Sequence, residues 1–410
     1  MSRPGMMTKG IRKRHYGRMG LVPRLAFAVV AGSGLASPVF GQCSYEATII
    51  EGPICSDGFP AAFGPFDLDE NGVAVGSTVC FLLPFASIWM GDGLAERFPD
   101  SADSRAFAIF DPDHVVGSQV PPGASREVAR YWLNGQGQNL PLLPGANTSQ
   151  ALGINGDLVI VGDSNNTVSG PHQAFRWEDG QIEALQLPLG PASSAVDMNH
   201  LHQITGWMGP SLLESRGFVS TNGATVTIPL LPNGVSTRPF ALNNLGHAVG
   251  YGVLNVEGIG ETRHAIYWDG LQVVDLGALP ERERSQARDL NDVRQIVGDS
   301  TVPEPDAVFW QDGNIYALQP LIVSDIGGRD VQFAKAINNA GQILVQAEDL
   351  ALLLTPIGSA PGDIDNNCIV SVSDLVLLLG EWGNSNSFAD TNGDGMVNVT
   401  DLLQLLSDWG

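Results

Sequence analysis

From residue 63 to about 356 the chain restates one phrase of roughly 45 residues: an Ala-led strand, an Asn/Gly turn, a strand ending in Val-Gly, an Ala-aromatic strand ending in Trp, a Gly turn and a last apolar strand. Gly76, Gly117, Gly162, Gly206, Gly250 and Gly298 mark one position in six units, with gaps of 41, 45, 44, 44 and 48 residues. Four short strands per unit, rich in Val, Ile, Tyr, Phe and Trp, with Asp-Gly hairpin turns after Trp, describe a propeller blade.

The clearest copy runs Arg238-Pro-Phe-Ala241-Leu-Asn243-Asn244-Leu-Gly246 to Gly250, then Arg263-His-Ala265-Ile-Tyr-Trp268-Asp-Gly270. A seventh, weaker unit begins at Phe333-Ala334 and stops after its third strand, near Leu354, while Tyr45 to Ile50 is a lone strand before the first unit. Pairing the two would close a ring and remove an open edge. The expectation is a mainly β fold, a seven-bladed propeller closed by strands from both ends of the repeat. Six or eight blades and an open solenoid are the alternatives. Trp89, Trp132, Trp177, Trp268 and Trp310 are expected as inter-blade core, and the His residues as strand-end hydrogen-bonding groups.

The phrase Ala-x-x-Ile/Leu-Asn-x-x-Gly-x-x-Val-Gly followed by His-Ala-Phe/Ile-x-Trp-x-x-Gly resembles the HAF family of extracellular repeats, best at His172-Gln-Ala-Phe175 and His264-Ala-Ile266. That resemblance implies no defined reaction.

The last fifty residues hold a different repeat, two loop-helix units 27 residues apart, Asp363 to Asp374 and Asp390 to Asp401. Asp363, Asp365, Asn367, Ser371 and Asp374 in the first, and Asp390, Asn392, Asp394, Asn398 and Asp401 in the second, put oxygen at loop positions 1, 3, 5, 9 and 12. This alternation wraps a hard cation, with position 7 (Met396 in the second loop) adding its carbonyl. Two calcium ions are therefore expected. Position 6 needs positive φ; Gly395 suits it and Cys368 does not, which makes the first loop the expected weaker site. Leu375, Leu378, Leu379 and Trp382, and then Leu402, Leu405, Leu406 and Trp409, share one helical spacing. From Pro361 to Gly410 there are eight acids and no Lys or Arg, so a cation should contribute directly to folding.

This doubled unit resembles a type I dockerin. The resemblance implies docking to a cohesin-like domain or a cell-surface scaffold, with Val372, Ser373, Val399 and Thr400 at the partner-selecting positions.

The first forty residues carry seven basic residues and no acid before an apolar run from Leu25, the pattern of a secretory signal peptide cleaved near Gly41-Gln42. The run is too short and glycine-rich to span a membrane. The organisation read from sequence is 1–41 signal peptide, 42–356 repeat propeller, 357–361 linker and 362–410 calcium module. Without residues 1–41 the chain has 14 basic and 44 acidic residues, 14 − 44 = −30, which disfavours nucleic acid and anionic membranes and suits an extracellular setting. Of Cys43, Cys55, Cys80 and Cys368, one disulfide among the first three is expected, with the pairing open.

No nucleophile elbow, zinc motif or phosphate loop is present, so no catalytic residue is assigned. His200-x-His202 reads as surface, without acids nearby in sequence. Asp67, Asp69, Asp111, Asp113, Asp197 and Asp289 stand near blade starts and could converge on one face. The sequence thus favours a secreted, non-catalytic binding or scaffold protein offering a face to a protein or glycan. The alternative is a glycan-active hydrolase or lyase with its site on the propeller face.

Overall fold

Seven four-stranded antiparallel sheets take up all 28 strands of the described residues. The computed structural model describes residues 43–56, 58–80, 82–165, 171–211, 214–256, 260–358, 360–385 and 387–409. The leader read over 1–41 and its cleavage point lie outside them. In six sheets the strands follow chain order, as in the fifth blade: Gly234–Leu242, Ala248–Val256, Gly260–Trp268 and Val273–Gly277. The seventh combines Val331–Ile337, Ile343–Ala347 and Leu350–Ile357 with Ser44–Ile50, which pairs antiparallel from Ser44 opposite Ile357 to Ile50 opposite Ala351. First strands of successive blades lie side by side around the axis, the last against the first. The ring is a closed seven-bladed propeller, and the six- and eight-bladed alternatives fall.

The periodic glycine has a steric cause. The first strand of every blade bulges, for example between Pro65 and Asp67 and between Ala151 and Gly153. The bulge pushes a carbonyl against the second strand. A Cβ on Gly76, Gly117, Gly162, Gly206, Gly250 or Gly298 would lie 1.9–2.1 Å from that carbonyl oxygen. A Cβ would collide there, so these glycines mark six of the seven blades; the seventh has Val345 at the equivalent position, opposite Ala334.

Two further devices explain the remaining signature residues. Asn134-Gly135, Asp179-Gly180, Asn222-Gly223 and Asp312-Gly313 all have both residues at positive φ, the two-residue turn that matches strand twist. At the opposite ends of the strands, Ser104, Ser149, Ser193, Thr237 and Ser285 accept hydrogen bonds of 2.8–3.0 Å from the backbone N–H of Ala86, Ala129, Ala174, Gly217 and Ala265 in the preceding blade.

The core lies between blades. Ala108, Val116 and Tyr131 of the second blade pack with Ala151, Ile154 and Phe175 of the third. Trp89, Trp132, Trp268 and Trp310 are fully buried, as expected for core, each contributing about 4–6 kcal/mol of transfer free energy by area. Trp177 is half-buried at the edge of the same cluster.

Residues 360–409 add two short helices, α1 (Val372–Gly380) and α2 (Val399–Ser407), around a small core of Ile364, Val370, Leu378, Ala389, Val397 and Leu405. This segment belongs to the same compact unit as the propeller. A Cys43–Cys368 disulfide joins it to the residue before the closing strand. Gln295 Nε2 donates to the Asn366 carbonyl (3.2 Å), Gln311 Nε2 to that of Asp365 (3.0 Å), and Asn366 Nδ2 to that of Asn339 (3.0 Å). Cys55 pairs with Cys80. One disulfide does fall among the first three cysteines; the second joins residues 325 apart.

Candidate calcium loops and the propeller channel

Both C-terminal loops fold by one hydrogen-bond scheme. The carboxylate at position 1 accepts the N–H groups of positions 5 and 6: Asp363 from Asn367 (2.9 Å) and Cys368 (2.7 Å), Asp390 from Asp394 (3.2 Å) and Gly395 (2.7 Å). Position 12 reaches back across the loop. Asp374 accepts from Ile364 N (2.8 Å), Asp365 N (3.0 Å) and Ser371 N (2.7 Å); Asp401 accepts from Asn392 N (3.2 Å) and Asn398 N (2.8 Å). Ser371 and Asn398 at position 9 are also the N-caps of α1 and α2, each in a reciprocal capping box with its position-12 Asp. The pattern Ser/Asn-x-x-Asp was readable as a capping box from sequence.

Position 6 takes positive φ in both loops, Cys368 at +65° and Gly395 at +92°. Cys368 thus adopts the backbone that its residue type disfavours, and its side chain is committed to the disulfide.

In the first loop one oxygen from each of Asp363, Asp365 and Asp374 lies within 4.8 Å of the others, and all three side chains are buried. Burial pushes Asp363 up to about 6, and burial with the Asp374 charge pushes Asp365 up to about 7. No Lys or Arg follows Lys335 in the chain. An all-oxygen donor set with converging, uncompensated carboxyls fits a hard cation of the calcium type. The second loop is more open: Asn392, Asp394 and Met396 are exposed, and Asp394 is held below the usual carboxylate range by hydrogen bonds from Asn398, the Met396 N–H, Asn392 and Thr400.

The predicted partner-selecting residues separate. Val372 and Ser373 look onto a cleft of ≈ 480 Å³ between α1 and blades five and six, shared with Tyr267, Trp310 and Asp365. Val399 and Thr400 are exposed on α2. Matched apolar pairs stay exposed along both helices, Val376 with Leu403 and Leu379 with Leu406, and just past their ends, Trp382 with Trp409. Only Leu378 and Leu405 of the predicted stripes are fully buried.

The propeller channel narrows to a cavity of ≈ 180 Å³ lined by Asp67, Asp69, Asp197 and Asp289. Asp111 and Asp113 do not join them; Asp111 instead meets His114 Nδ1 at 2.7 Å. Asp67, Asp197 and Asp289 occupy the bulge position of blades one, four and six, where the other blades have Ala or Gly. Each clamps the next blade by accepting from a backbone N–H: Ile109 (2.9 Å), Leu242 (2.8 Å) and Ile337 (2.8 Å). Burial raises Asp67 to about 6 and Asp197 to about 7, and it raises Asp289 well above the carboxylate range. Their other oxygens accept the N–H groups of Leu68, Met198 and Leu290, so these acids are blade clamps.

A second belt runs two residues further along, in the Asn of the repeat phrase. Nδ2 of Asn155, Asn199, Asn243 and Asn291 donates to the carbonyl of the next Asn around the ring, and Asn338 to that of Asp69, at 2.9–3.3 Å. Oδ1 of the same residues caps its own turn, as Asn199 does for Leu201 and Gln203. The belt breaks where blade one has Asp69 and blade two Phe110. Asp69 Oδ2 is buried without a hydrogen-bond partner among the described residues, and burial raises its pKa.

His172 is a strand-end group that meets Asp163 at 3.0 Å; His264, expected to be one, lies mid-strand in Gly260–Trp268 and meets Asp275 at 2.8 Å. His202 departs from its reading as a residue without acids, because Asp157 of the preceding blade lies 2.8 Å from its Nε2.

No protein-family model matches the chain, and no curated protein matches it significantly. Among similar solved structures, Streptogramin B lyase aligns with a TM-score of 0.47 at 14% identity, over 76% of this chain and 98% of its own. The β-propeller domain of the Trilobed protease from Pyrococcus furiosus gives 0.47 at 12%, over 66% and 86%. YCF48 bound to D1 peptide gives 0.45 at 13%, over 78% and 99%. The likeness is of fold alone, and the blade count here rests on the strand pairing. No helix of the described residues is long and apolar enough to cross a membrane.

Proposed function

We propose that this is a secreted, non-catalytic binding or scaffold protein whose C-terminal module takes up two calcium ions and docks to a cohesin-like partner or a cell surface. The observation that carries the reading is the duplicated loop, with one hydrogen-bond scheme in both copies and matched apolar side chains left exposed on both helices. Calcium would be held by Asp363, Asp365, Asn367, Ser371 and Asp374 in one loop and by Asp390, Asn392, Asp394, Asn398, Asp401 and the Met396 carbonyl in the other. When bound it neutralises the acid cluster and fixes the loops that set the angle of α1 and α2. The glycan-active alternative depends on the channel acids, and their engagement as blade clamps weighs against it.

Calorimetric calcium titration of the full chain, followed by binding to an immobilised type I cohesin domain with and without chelator, tests the reading. Two sites, chelator-sensitive capture and its loss in Val399→Asp/Thr400→Asp are expected. Asp390→Ala should cost more calcium affinity than Asp363→Ala. Absence of calcium uptake would sink the proposal; calcium uptake without cohesin capture would sink the docking half alone.

A further inference from the structure

Positive charge is scarce in this chain, with 14 basic residues beyond residue 42 against 44 acids, so a cluster of arginines runs against the average. One lies at the boundary of blades five and six, at the end of the ring away from the Asn turns. Arg238, Arg263 and Arg284 line a cavity of ≈ 170 Å³ with Tyr251, Ser236 and Thr262. Arg238 stands directly across the strand pair from Tyr251, and Arg263 across from Val253 two residues on, which places them on one face of the fifth blade. Arg284 opens the first strand of the sixth.

Two of these guanidinium groups are held by flat neighbours. Arg263 lies 5.0 Å over the Tyr251 ring; Arg238 lies 5.5 Å over Trp207 and donates from Nε to Ser215 Oγ at 3.2 Å. Arg176, Arg282, Arg288 and Arg329 each have a carboxylate partner, whereas Arg263 and Arg284 have none within 4.0 Å among the described residues. Glu261 on the cavity rim makes no such pair either. Arg263 and Arg284, two like charges on one small cavity, repel each other unless something negative sits between them. Guanidinium forks match the geometry of planar and tetrahedral oxyanions.

We propose that this cavity binds the oxyanion of an acidic ligand, a carboxylate or sulfate group. Its size, below that of pockets for extended ligands, admits one charged group with its attached ring. The source is either a free small anion or an acid-bearing sugar of a glycan. The site stands apart from the calcium loops and does not depend on their reading.

Calorimetry on the full chain at low ionic strength, with sodium sulfate, a galacturonate oligomer and a neutral galactose oligomer as probes, tests the proposal. Saturable binding of at least one acidic probe, with none of the neutral one, is expected. Sulfate binding as tight as the oligomer's identifies a free oxyanion ligand; binding of the oligomer alone identifies an acidic glycan. R263A/R284A should weaken binding by about tenfold or more, R263K/R284K by less, and R329A should leave it unchanged. Arg263 and Arg284 are exposed, so matching unfolding midpoints will show that these variants fold. No saturable binding of either acidic probe, equal binding of the neutral one, or wild-type binding by R263A/R284A would overturn the proposal.

Discussion

Asp69→Asn should make the propeller more stable, and the gain can be worked out from the belt it joins. Five blades place an Asn here, each donating through Nδ2 to the next blade, while Asp69 presents a buried oxygen that has no partner among the described residues. Its Oδ1 already accepts from Asn71 N (2.9 Å) and Val73 N (2.7 Å), as Asn Oδ1 does elsewhere, so the substitution keeps the turn. The new Nδ2 would face the carbonyl of Phe110, the corresponding residue of blade two. One added hydrogen bond is worth about 0.5–1.5 kcal/mol, and removing a buried unsatisfied acceptor about 1–3 kcal/mol. Losing two charge-assisted bonds at Oδ1 offsets part of this. A net gain of about 1–2 kcal/mol follows, or about 1–3 °C in midpoint for a chain of this size. Asp69 has a raised folded pKa, so its stabilising contribution is present below the ordinary carboxylate pKa and lost as pH rises. A protonated Asp69 can donate as an amide would. Urea unfolding followed by Trp fluorescence should therefore show the full gain at pH 8 and a smaller one at pH 4.5. A variant no more stable than wild type at pH 8, or an equal gain at both pH values, would refute the reasoning.

Other consequences follow from the same geometry. Gly162→Ala sets a Cβ 1.9 Å from the Gln150 carbonyl oxygen and should cost about 3 kcal/mol or more, read as a lower urea midpoint; a cost under 1 kcal/mol would mean that the bulge yields. Cys43→Ser/Cys368→Ser should destabilise the chain by about 2 kcal/mol more than Cys55→Ser/Cys80→Ser, since the disulfides close spans of 325 and 25 residues; equal losses in denaturant would contradict the chain-entropy account. Asp67 and Asp197 have folded pKa values of about 6 and 7, so their stabilising contribution is lost as pH rises through that window. Asp67→Asn/Asp197→Asn/Asp289→Asn should flatten the decline in midpoint from pH 5 to 8; an unchanged slope would show that these groups do not titrate there.

Six blades were legible because one steric fact, a carbonyl where a Cβ would be, leaves Gly as its trace; the seventh, with Val345 at that position, was legible from its Phe333-Ala334 start and the lone strand at Tyr45 to Ile50. The bulge behind it was not legible, because it is a relation between two strands. The repeat Asn reads as a turn residue, which it is. Its second role uses a partner 44 to 48 residues away in the next blade, and the one hint is the use of Asn five times where Asp would also make the turn. Asp157 beside His202 was hidden in the same way, one repeat upstream. The C-terminal loops were legible as a repeated pattern of oxygen side chains, since their internal hydrogen bonds lie within twelve residues. The seat of the first loop against the propeller was not, because the Cys43–Cys368, Gln295–Asn366 and Gln311–Asp365 links all cross between segments that the sequence separates with a linker.

The closing strand sets an order of events for a chain made from its N-terminus. Ser44 pairs with Ile357, 313 residues later. At about 5–20 residues per second, roughly 15–60 s pass between the synthesis of the two. For all of that interval Ser44–Ile50 has no partner, and the partly built ring presents the open edges that finished rings avoid. The pairing that protects the completed ring thus leaves the growing one exposed, and holding Ser44–Ile50 apart from other chains until Leu350–Ile357 emerges becomes a requirement of its biosynthesis.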